Sequence, residues 1–336
     1  MPRLSPSIDE LRREVDRTIS AALAAHAAAL PEARLLIDEM WRLTAAGGKR
    51  LRPAFCYWGF RAAGGAHGAA IVRAAASLEL LHTFAIVHDD IMDASDERRG
   101  EQSVHARHGV GVGILVGDLA LVLADDAFMG AGFDAGATAR AFGAYSRMRQ
   151  EVIAGQYLDL AYAARADITV DEARRVAVLK SGRYSIEEPL AIGAALAGAP
   201  DEFLERLARF GGPLGEAFQL RDDLLGTFGD RSSVGKPVDS DIIEGKRNVL
   251  FAFATAALTG SDGDFLRSRW GGDGLSEDEI ARLRTLVVSS GARDATESLL
   301  DEQVTEALAR LDELGVEAGE RAALEELVFL ATARRA

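Results

Sequence analysis

Two aspartate-rich segments, each at the end of a long apolar stretch with helical periodicity, constrain this chain most strongly. One covers residues 89–93 (DDIMD) and the other covers residues 222–226 (DDLLG). Residues four apart share a helix face, so Asp89 and Asp93 should project together with Asp90 beside them. A single acidic cluster could be a solvated surface, but two such clusters favour bound cations. Because Mg²⁺ takes a few carboxylates together with substrate phosphates, we predict a multi-metal diphosphate site.

Length and composition limit the other possibilities. The helical pattern runs through all 336 residues without a linker, which favours one domain over residues 1–336. The net charge of −14 argues against nucleic-acid binding, which needs a basic surface. The single cysteine, Cys56, excludes an intrachain disulfide and is expected in the core. The N-terminus lacks a signal-peptide apolar region, and the apolar stretch 109–124 is too short and too interrupted for a membrane span. We therefore expect a soluble, cytoplasmic protein.

The residue pattern predicts an all-α chain. Ser7 and Glu10 form a capping-box pattern ahead of a periodic apolar stretch, and alanine, a strong helix former, is abundant. No alternating strand pattern is found. Beyond the first helix, helices are predicted over residues 31–43, 54–63, 69–93, 115–131, 137–163, 171–198, 202–227, 247–259, 276–290, 292–313 and 319–334.

Two loops and a set of basic residues complete the pattern. Residues 94–113 and 228–246 each follow an aspartate segment and are predicted to be mobile lids over an anionic substrate. Residues 260–275 are predicted to be a surface excursion. A diphosphate needs cations, with arginine as a planar donor fork and lysine as a point charge. The candidates are Lys49, Arg52, Arg98, Arg99, Lys180, Lys236 and Lys246.

In these features the chain resembles the trans-polyprenyl diphosphate synthases, or polyprenyl synthetases. The resemblance extends in order from about residue 40 to residue 255, and so many ordered motifs are far more specific than a lone DDxxD. The matching segments are GGKRLRP (47–53), ELLHTFAIVHDD (79–90), RRG (98–100), GQYLD (155–159), KSG (180–182), FQLRDD (218–223), GKP (235–237) and EGKR (244–247).

The resemblance implies an isoprenoid-synthase helical bundle around a central active-site cavity, usually as a homodimer. It implies three Mg²⁺ ions, for which Mn²⁺ can substitute. Their direct ligands would be Asp89, Asp93 and Asp222, supported by Asp90 and Asp223. The diphosphate of isopentenyl diphosphate would be held by Lys49, Arg52, His82 and Arg99. The allylic diphosphate would be held by Arg98, Lys180, Gln219 and Lys236, and we add Lys246 to the substrate-binding set.

Two positions depart from the family pattern. Gly226 stands where a third aspartate is common, so the outer shell of the second metal site lacks that carboxylate, and Asp230, one turn further on, is a candidate to compensate through water. Ser181 stands where threonine is usual, and its hydroxyl can serve similarly. For His82 a packed core role is the alternative to phosphate binding, and His88 is interpreted as structural.

The expected reaction is head-to-tail prenyl transfer. The allylic diphosphate ionises, the double bond of isopentenyl diphosphate attacks the carbocation, and the released diphosphate accepts the proton. Phe84 lies five residues before Asp89, with small Ala85 above it, and the first segment has no insertion. This combination resembles geranylgeranyl diphosphate synthases and predicts a C20 product. A farnesyl or longer-chain synthase is the nearest alternative.

Two other functions are alternatives to this prediction. A class I terpene cyclase would use the aspartates, but it has no second diphosphate for Lys49, Arg52 and Arg99 to bind. A non-catalytic regulatory subunit would be expected to lose metal ligands, whereas residues 89–93 are complete. A purely structural helical protein would explain none of these residues.

Overall fold

Helices make up nearly all the regular structure of the chain, as predicted. A computed structural model describes residues 5–229 and 239–333. The helices are α1 (Ile8–Ala29), α2 (Arg34–Ala45), α3 (Leu51–Ala62), α4 (Ala69–Met92), α5 (Val104–His108), α6 (Val110–Met129), α7 (Ala135–Ala163), α8 (Val170–Ala177), α9 (Glu188–Leu196), α10 (Asp201–Phe228), α11 (Ser240–Ile243), α12 (Val249–Ala257), α13 (Gly260–Arg269), α14 (Glu277–Ser289), α15 (Ala292–Glu313) and α16 (Ala318–Thr332). A 3₁₀ turn (Pro31–Ala33), a π-helical segment (Val178–Glu187) and two short strands, β1 (Glu97–Arg98) and β2 (Glu101–Gln102), complete the elements.

Side-chain caps fix where several helices begin. The predicted capping box is present: the Glu10 amide donates to Ser7 Oγ at 3.3 Å, and the Ser7 amide donates to Glu10 Oε2 at 2.9 Å. The same reciprocal arrangement starts α8 at Thr169 and α14 at Ser276. Each cap satisfies amide groups that have no partner inside the helix and stabilises its helix by about 1 kcal/mol.

The described residues fall into two compact units. The first comprises residues 5–145, 188–207 and 314–327. Its central helix, α4, is apolar on nearly all sides, as a helix surrounded by protein should be. In the same unit α3 crosses α9 at glycines: a Cβ on Gly193 would lie 2.7 Å from the Phe60 amide nitrogen, and one on Gly59 would lie 2.9 Å from Leu190 Cα. Cys56 lies on this crossing and is fully buried, as predicted.

Among the described residues, α4 alone is long and apolar enough, by length and composition, to cross a membrane. The apolar part of α4 is 72% buried inside the protein. Core helices of globular proteins meet the same two criteria, so this is weak support for a membrane span.

The second unit comprises residues 146–187, 208–229, 239–313 and 328–333. Its core forms around α12, where Phe251 is fully buried and its ring lies 5.4 Å from that of Trp270. The Arg247 guanidinium stacks 4.4 Å above the Phe251 ring, a cation–π contact in a largely buried place. Arg247 also donates to backbone oxygens of Arg165, Gly245 and Trp270, so it binds the segment before α12 to this core.

The structure corrects three details of the sequence prediction. Residues 94–113 contain the β1–β2 hairpin, helix α5 and the start of α6, not an open loop, and residues 260–269 form α13. The predicted helix 171–198 is interrupted by the π-helical segment. One of the glycines that suggested a loop, Gly113, serves packing inside α6 instead, because a Cβ on Gly113 would lie 2.8 Å from Ile91 Cδ1 of α4. Tertiary packing overrides the low helix propensity of glycine here.

Candidate active site

The first aspartate cluster lies in the last turn of α4. Asp90 is buried, Asp89 and Asp93 are half-buried, and Asp93 is the C-cap residue. A helix C-terminus already carries partial negative charge, so three carboxylates there need a cation nearby. Arg98 on strand β1 supplies one: its Nε donates to Asp90 Oδ1 at 2.8 Å, and its Nη2 contacts Asp90 Oδ1 and Asp89 Oδ2, the latter at 3.3 Å. The guanidinium that sequence assigned to the allylic diphosphate is therefore bound to the aspartates here.

A basic group surrounds His82, which lies about two helical turns before the first cluster. Burial lowers the pKa of His82 well below its usual value, and the charges of Arg52, Arg99 and Arg98 lower it further. The imidazole is therefore neutral near pH 7 and has one N–H to donate. Arg99 donates to the Leu43 and Gly47 carbonyl oxygens at 2.9 and 2.5 Å. Four of the residues assigned to diphosphates thus lie close together, and such a concentration of positive charge favours an anion.

The turn that presents Lys49 and Arg52 is held from below by Arg50. Arg50 has φ of +52°, an uncommon backbone conformation for a residue with a side chain. Its guanidinium donates to Glu79 Oε1 at 2.9 Å, to Asp16 Oδ1 at 2.7 Å, and to the Thr44 and Gly47 carbonyl oxygens. Sequence reasoning gave Arg50 and Glu79 no role. The available signal was Glu79 itself, a carboxylate in an otherwise apolar stretch of α4.

The second cluster lies on α10 in the second unit. Asp222 is half-buried, and Asp223 is only 3% exposed. Gln219 donates to Asp223 Oδ1 at 2.7 Å, and the Val249 amide contacts Asp223 Oδ2 at 3.5 Å. Burial, and next the charge of Asp241, raise the pKa of Asp223 to about 8. Gln219, predicted to bind the allylic diphosphate, is thus bound to its neighbour Asp223, which Mg²⁺ would hold in its ionised form.

Lys180 and Lys246 meet at one carboxylate that sequence reasoning left without a role. Asp159 Oδ2 accepts from Lys180 Nζ at 2.6 Å and from Lys246 Nζ at 3.2 Å. The two lysines lie 66 residues apart (246 minus 180), and the structure brings them together, as expected for a shared anion. The GQYLD motif contains Asp159, so its place in the resemblance was the signal that could have identified it.

Close glycine contacts place Lys180 and Ser181. A Cβ on Gly155 of α7 would lie 2.7 Å from Lys180 Cα, and one on Gly182 would lie 2.8 Å from the Gly215 carbonyl carbon of α10. Only glycine permits α7, the π-helical segment and α10 to approach this closely. The segment carries a buried Ser181, in agreement with the frequent occurrence of π-helical turns at functional sites.

The remaining predicted residues divide into those that the structure describes and those that lie outside the described residues. Phe84 and Ala85 are half-buried on α4, and the Phe84 ring lies edge-on to His88 at 4.9 Å. His88 Nε2 lies 3.2 Å from the Ile114 carbonyl oxygen of α6, in agreement with its interpretation as structural. Lys49 is exposed. Lys236 and Asp230 lie outside the described residues, as does the rest of segment 230–238 of the predicted second lid.

The donor set fits Mg²⁺. Both clusters offer carboxylate oxygens, and Asp89 and Asp90 already face one positive group, the Arg98 guanidinium. In residues 5–229 and 239–333, no three acidic, histidine or cysteine side chains are gathered into a ready metal cage. Carboxylate oxygens suit Mg²⁺, which takes one or two carboxylates together with substrate phosphates.

Comparison with known proteins gives the family. The sequence model of the Polyprenyl synthetase family matches residues 34–287. A (2E,6E)-farnesyl diphosphate synthase of Mycobacterium tuberculosis is 34% identical over 86% of this chain and 80% of its own. A geranylfarnesyl diphosphate synthase of Aeropyrum pernix is 35% identical over 76% of this chain and 80% of its own.

Solved structures agree with the sequence relatives. The geranylgeranyl pyrophosphate synthase of Corynebacterium glutamicum, in complex with isoprenyl diphosphate and magnesium, superposes with a TM-score of 0.94 at 34% identity. The match covers 98% of this chain and 100% of that one. The predicted all-α fold is confirmed. The relatives are prenyl diphosphate synthases, in agreement with the family that the sequence motifs indicated. The chain belongs to the polyprenyl synthetase family and is a trans-prenyltransferase, a polyprenyl diphosphate synthase.

Proposed function

We propose that this enzyme condenses isopentenyl diphosphate with an allylic diphosphate in a Mg²⁺-dependent reaction and releases mainly geranylgeranyl diphosphate (C20). The proposed product length rests on one observation, the position of Phe84 on α4. The relatives are named for C15, C20 and C25 products, so family membership alone leaves this choice open.

The length argument follows from helix geometry. At a rise of about 1.5 Å per residue, Phe84 lies roughly 7.5 Å along α4 from Asp89. A prenyl chain that starts at the aspartates and descends along α4 first meets small Ala85 and then the Phe84 ring. That ring is braced edge-on by His88, which packs against α6, so it is a firm barrier.

The side chains divide the work as the resemblance implies. When bound, three Mg²⁺ ions, or Mn²⁺ in their place, stabilise the charge of the departing diphosphate. Lys49, Arg52, His82 and Arg99 bind isopentenyl diphosphate. Arg98, Lys180, Gln219, Lys236 and Lys246 bind the allylic diphosphate, with the Ser181 hydroxyl beside them. No side chain is assigned as the base, because the released diphosphate accepts the proton.

Product analysis tests the proposal. The purified enzyme is incubated with isopentenyl diphosphate and each allylic starter in turn, and the products are sized. We expect C20 as the main product and no activity in excess EDTA. A main product of C15 or C25 would refute the length assignment. Full activity in EDTA would refute the metal assignment.

Phe84→Ala tests the barrier directly. The variant should extend the products beyond C20, and Ala85→Phe should shorten them toward C15. Loss of a fully buried phenylalanine costs about 3–5 kcal/mol, and Phe84 is only half-buried, so the variant should remain folded. Circular dichroism checks the fold. An unchanged product range in folded Phe84→Ala would place the barrier elsewhere.

The proposal includes a cytoplasmic homodimer. Helix α6 exposes Leu115, Val122 and Met129, which are seven residues apart and therefore form one stripe, and Val110 and Ile114 are exposed near its start. Exposed apolar stripes of this kind mark association surfaces. Light scattering should give twice the chain mass of 35.8 kDa, and Leu115→Glu should shift it toward the monomer. A monomeric wild type would refute the dimer.

A further inference from the structure

Gly226, the position at which the second aspartate segment departs from the family pattern, lies directly against a carboxylate from elsewhere in the chain. A Cβ placed on Gly226 would lie 2.5 Å from both carboxylate oxygens of Asp241 on α11. Such a separation is far below van der Waals contact, so no larger residue fits at 226 while Asp241 keeps this position. The space of a side chain at 226 is filled by the Asp241 carboxylate.

This position is one helical turn from the predicted metal ligand Asp222. Residues 222 and 226 share a face of α10, and side chains on a helix lean toward its N-terminus. A group that fills the Cβ position of Gly226 therefore lies on the face that carries Asp222. Asp241 also acts electrostatically on Asp223, whose pKa it raises in addition to the larger effect of burial.

The Asp241 carboxylate is held in place by other residues. Asn248 donates from Nδ2 to Asp241 Oδ2 at 3.0 Å, and Asn248 is itself fixed as the N-cap of α12, where its Oδ1 accepts from the Phe251 amide at 3.1 Å. The Lys246 amide donates to the Asp241 carbonyl oxygen at 2.9 Å. Asp241 is therefore oriented by the same segment that carries the substrate-binding Lys246.

We infer that Asp241 supplies, from α11, the third carboxylate that residues 222–226 lack, and that it positions a divalent cation bound with diphosphate beside Asp222. The inference rests on the proposed function. Because Mg²⁺ keeps several waters, a carboxylate next to a direct ligand acts by accepting hydrogen bonds from them. Glycine at position 226 leaves the space that the Asp241 carboxylate occupies. Asp241 takes over the role for which sequence reasoning offered Asp230.

Asp241→Asn separates this role from a merely structural one. The asparagine Oδ1 can still accept from Asn248, so the local fold is kept while the negative charge is removed. The probe is Mn²⁺ titrated into the full-length protein with saturating inorganic diphosphate, followed by the electron paramagnetic resonance signal of free Mn²⁺. We expect Mn²⁺ affinity to fall roughly 10–100-fold, the range seen when outer partners of metal ligands are replaced. Asp301→Asn, an exposed aspartate on α15, is the matched control and should bind as wild type.

Gly226→Ala is the second test, because it changes no charge. Alanine normally favours a helix interior over glycine, yet here its methyl group would displace the Asp241 carboxylate. It should weaken Mn²⁺ binding about as much as Asp241→Asn. The double variant Gly226→Asp/Asp241→Ser moves the carboxylate to the usual family position and should recover the affinity.

The outcomes are distinguishable. Wild-type affinity in Asp241→Asn, with unchanged circular dichroism, overturns the inference and leaves the proposed function standing. No Mn²⁺ binding by the wild-type protein with diphosphate overturns both. Weakened binding in Asp241→Asn, with the control unaffected, supports the inference even if the glycine variants fail to fold.

Discussion

Replacing Glu79 should destabilise the protein far more than an ordinary carboxylate replacement, because its partner Arg50 is buried. The side chains of Arg50 and Glu79 are 4% and 5% exposed, and their nearest atoms lie 2.9 Å apart. Removing one member of a buried ion pair typically costs about 3–5 kcal/mol, since the other charge remains without full compensation. Arg50 keeps Asp16 and two backbone carbonyl oxygens, so Glu79→Ala should fall at the low end, about 3 kcal/mol.

The expected loss in the free energy of unfolding corresponds to a shift in the melting temperature, Tm. Unfolding entropy is about 2.1 cal/mol/K per residue, or roughly 0.7 kcal/mol/K for this chain, so Tm should fall by about 4 °C. Glu79→Gln keeps an acceptor for Arg50 but loses the charge, and should cost about 1–2 kcal/mol. Differential scanning calorimetry measures both variants against wild type.

A surface ion pair supplies the control. Arg34 and Asp38 also form an arginine–carboxylate pair at 2.8 Å, but their side chains are 67% and 59% exposed. Exposed pairs contribute about 0–1 kcal/mol, so Asp38→Ala should barely move Tm. A Tm loss in Glu79→Ala no larger than that of Asp38→Ala would refute the argument. The same variant should raise KM for isopentenyl diphosphate, because Arg50 holds the turn that presents Arg52.

Further predictions concern the site. Asp89→Ala should lower kcat by several orders of magnitude and change KM less, because the interaction of Asp89 with the metal strengthens as the diphosphate departs. A kcat equal to that of wild type in steady-state assays would contradict this. Arg52→Ala should raise KM mainly for isopentenyl diphosphate, and Lys236→Ala mainly for the allylic substrate; equal effects on both substrates in both variants would remove that division. Asp159→Asn should lower kcat by up to about 100-fold without unfolding the protein, because Lys180 loses the carboxylate that orients it. Unchanged kcat would leave Asp159 a structural residue only.

Patterns that depend on near neighbours in the chain were predictable from sequence. Spacings of three or four residues indicated the Ser7 cap and the positions of the aspartates at helix ends. Local composition indicated that Cys56 is buried. The family motifs also grouped Lys180 and Lys246, which the structure brings together at Asp159; their role in substrate binding stays a prediction. Elements were predicted less well where glycine serves packing, as at the start of α6.

Pairings between distant residues were not predictable. Arg50 meets Glu79 across 29 residues, and Lys246 meets Asp159 across 87 residues. Asp241 fills the space over Gly226 from a separate helix. Such contacts leave no periodic trace in a single sequence, because they are made by tertiary packing. Gly226 was recognisable as a departure from the pattern, but only the structure shows which carboxylate occupies its place.

Several charged residues that are predicted to bind metal or substrate already form ion pairs inside their own unit. Arg98 lies on Asp89 and Asp90, and Lys180 lies on Asp159. Isolated charges at such buried positions would be costly, so internal pairing permits the fold to hold them without substrate. A Mg²⁺–diphosphate complex would supply both signs of charge: Asp89 and Asp90 would hold the cation, and the phosphate oxygens would accept from the Arg98 guanidinium. Binding would then exchange partners instead of burying new charge, and release of the product would restore the internal ion pairs.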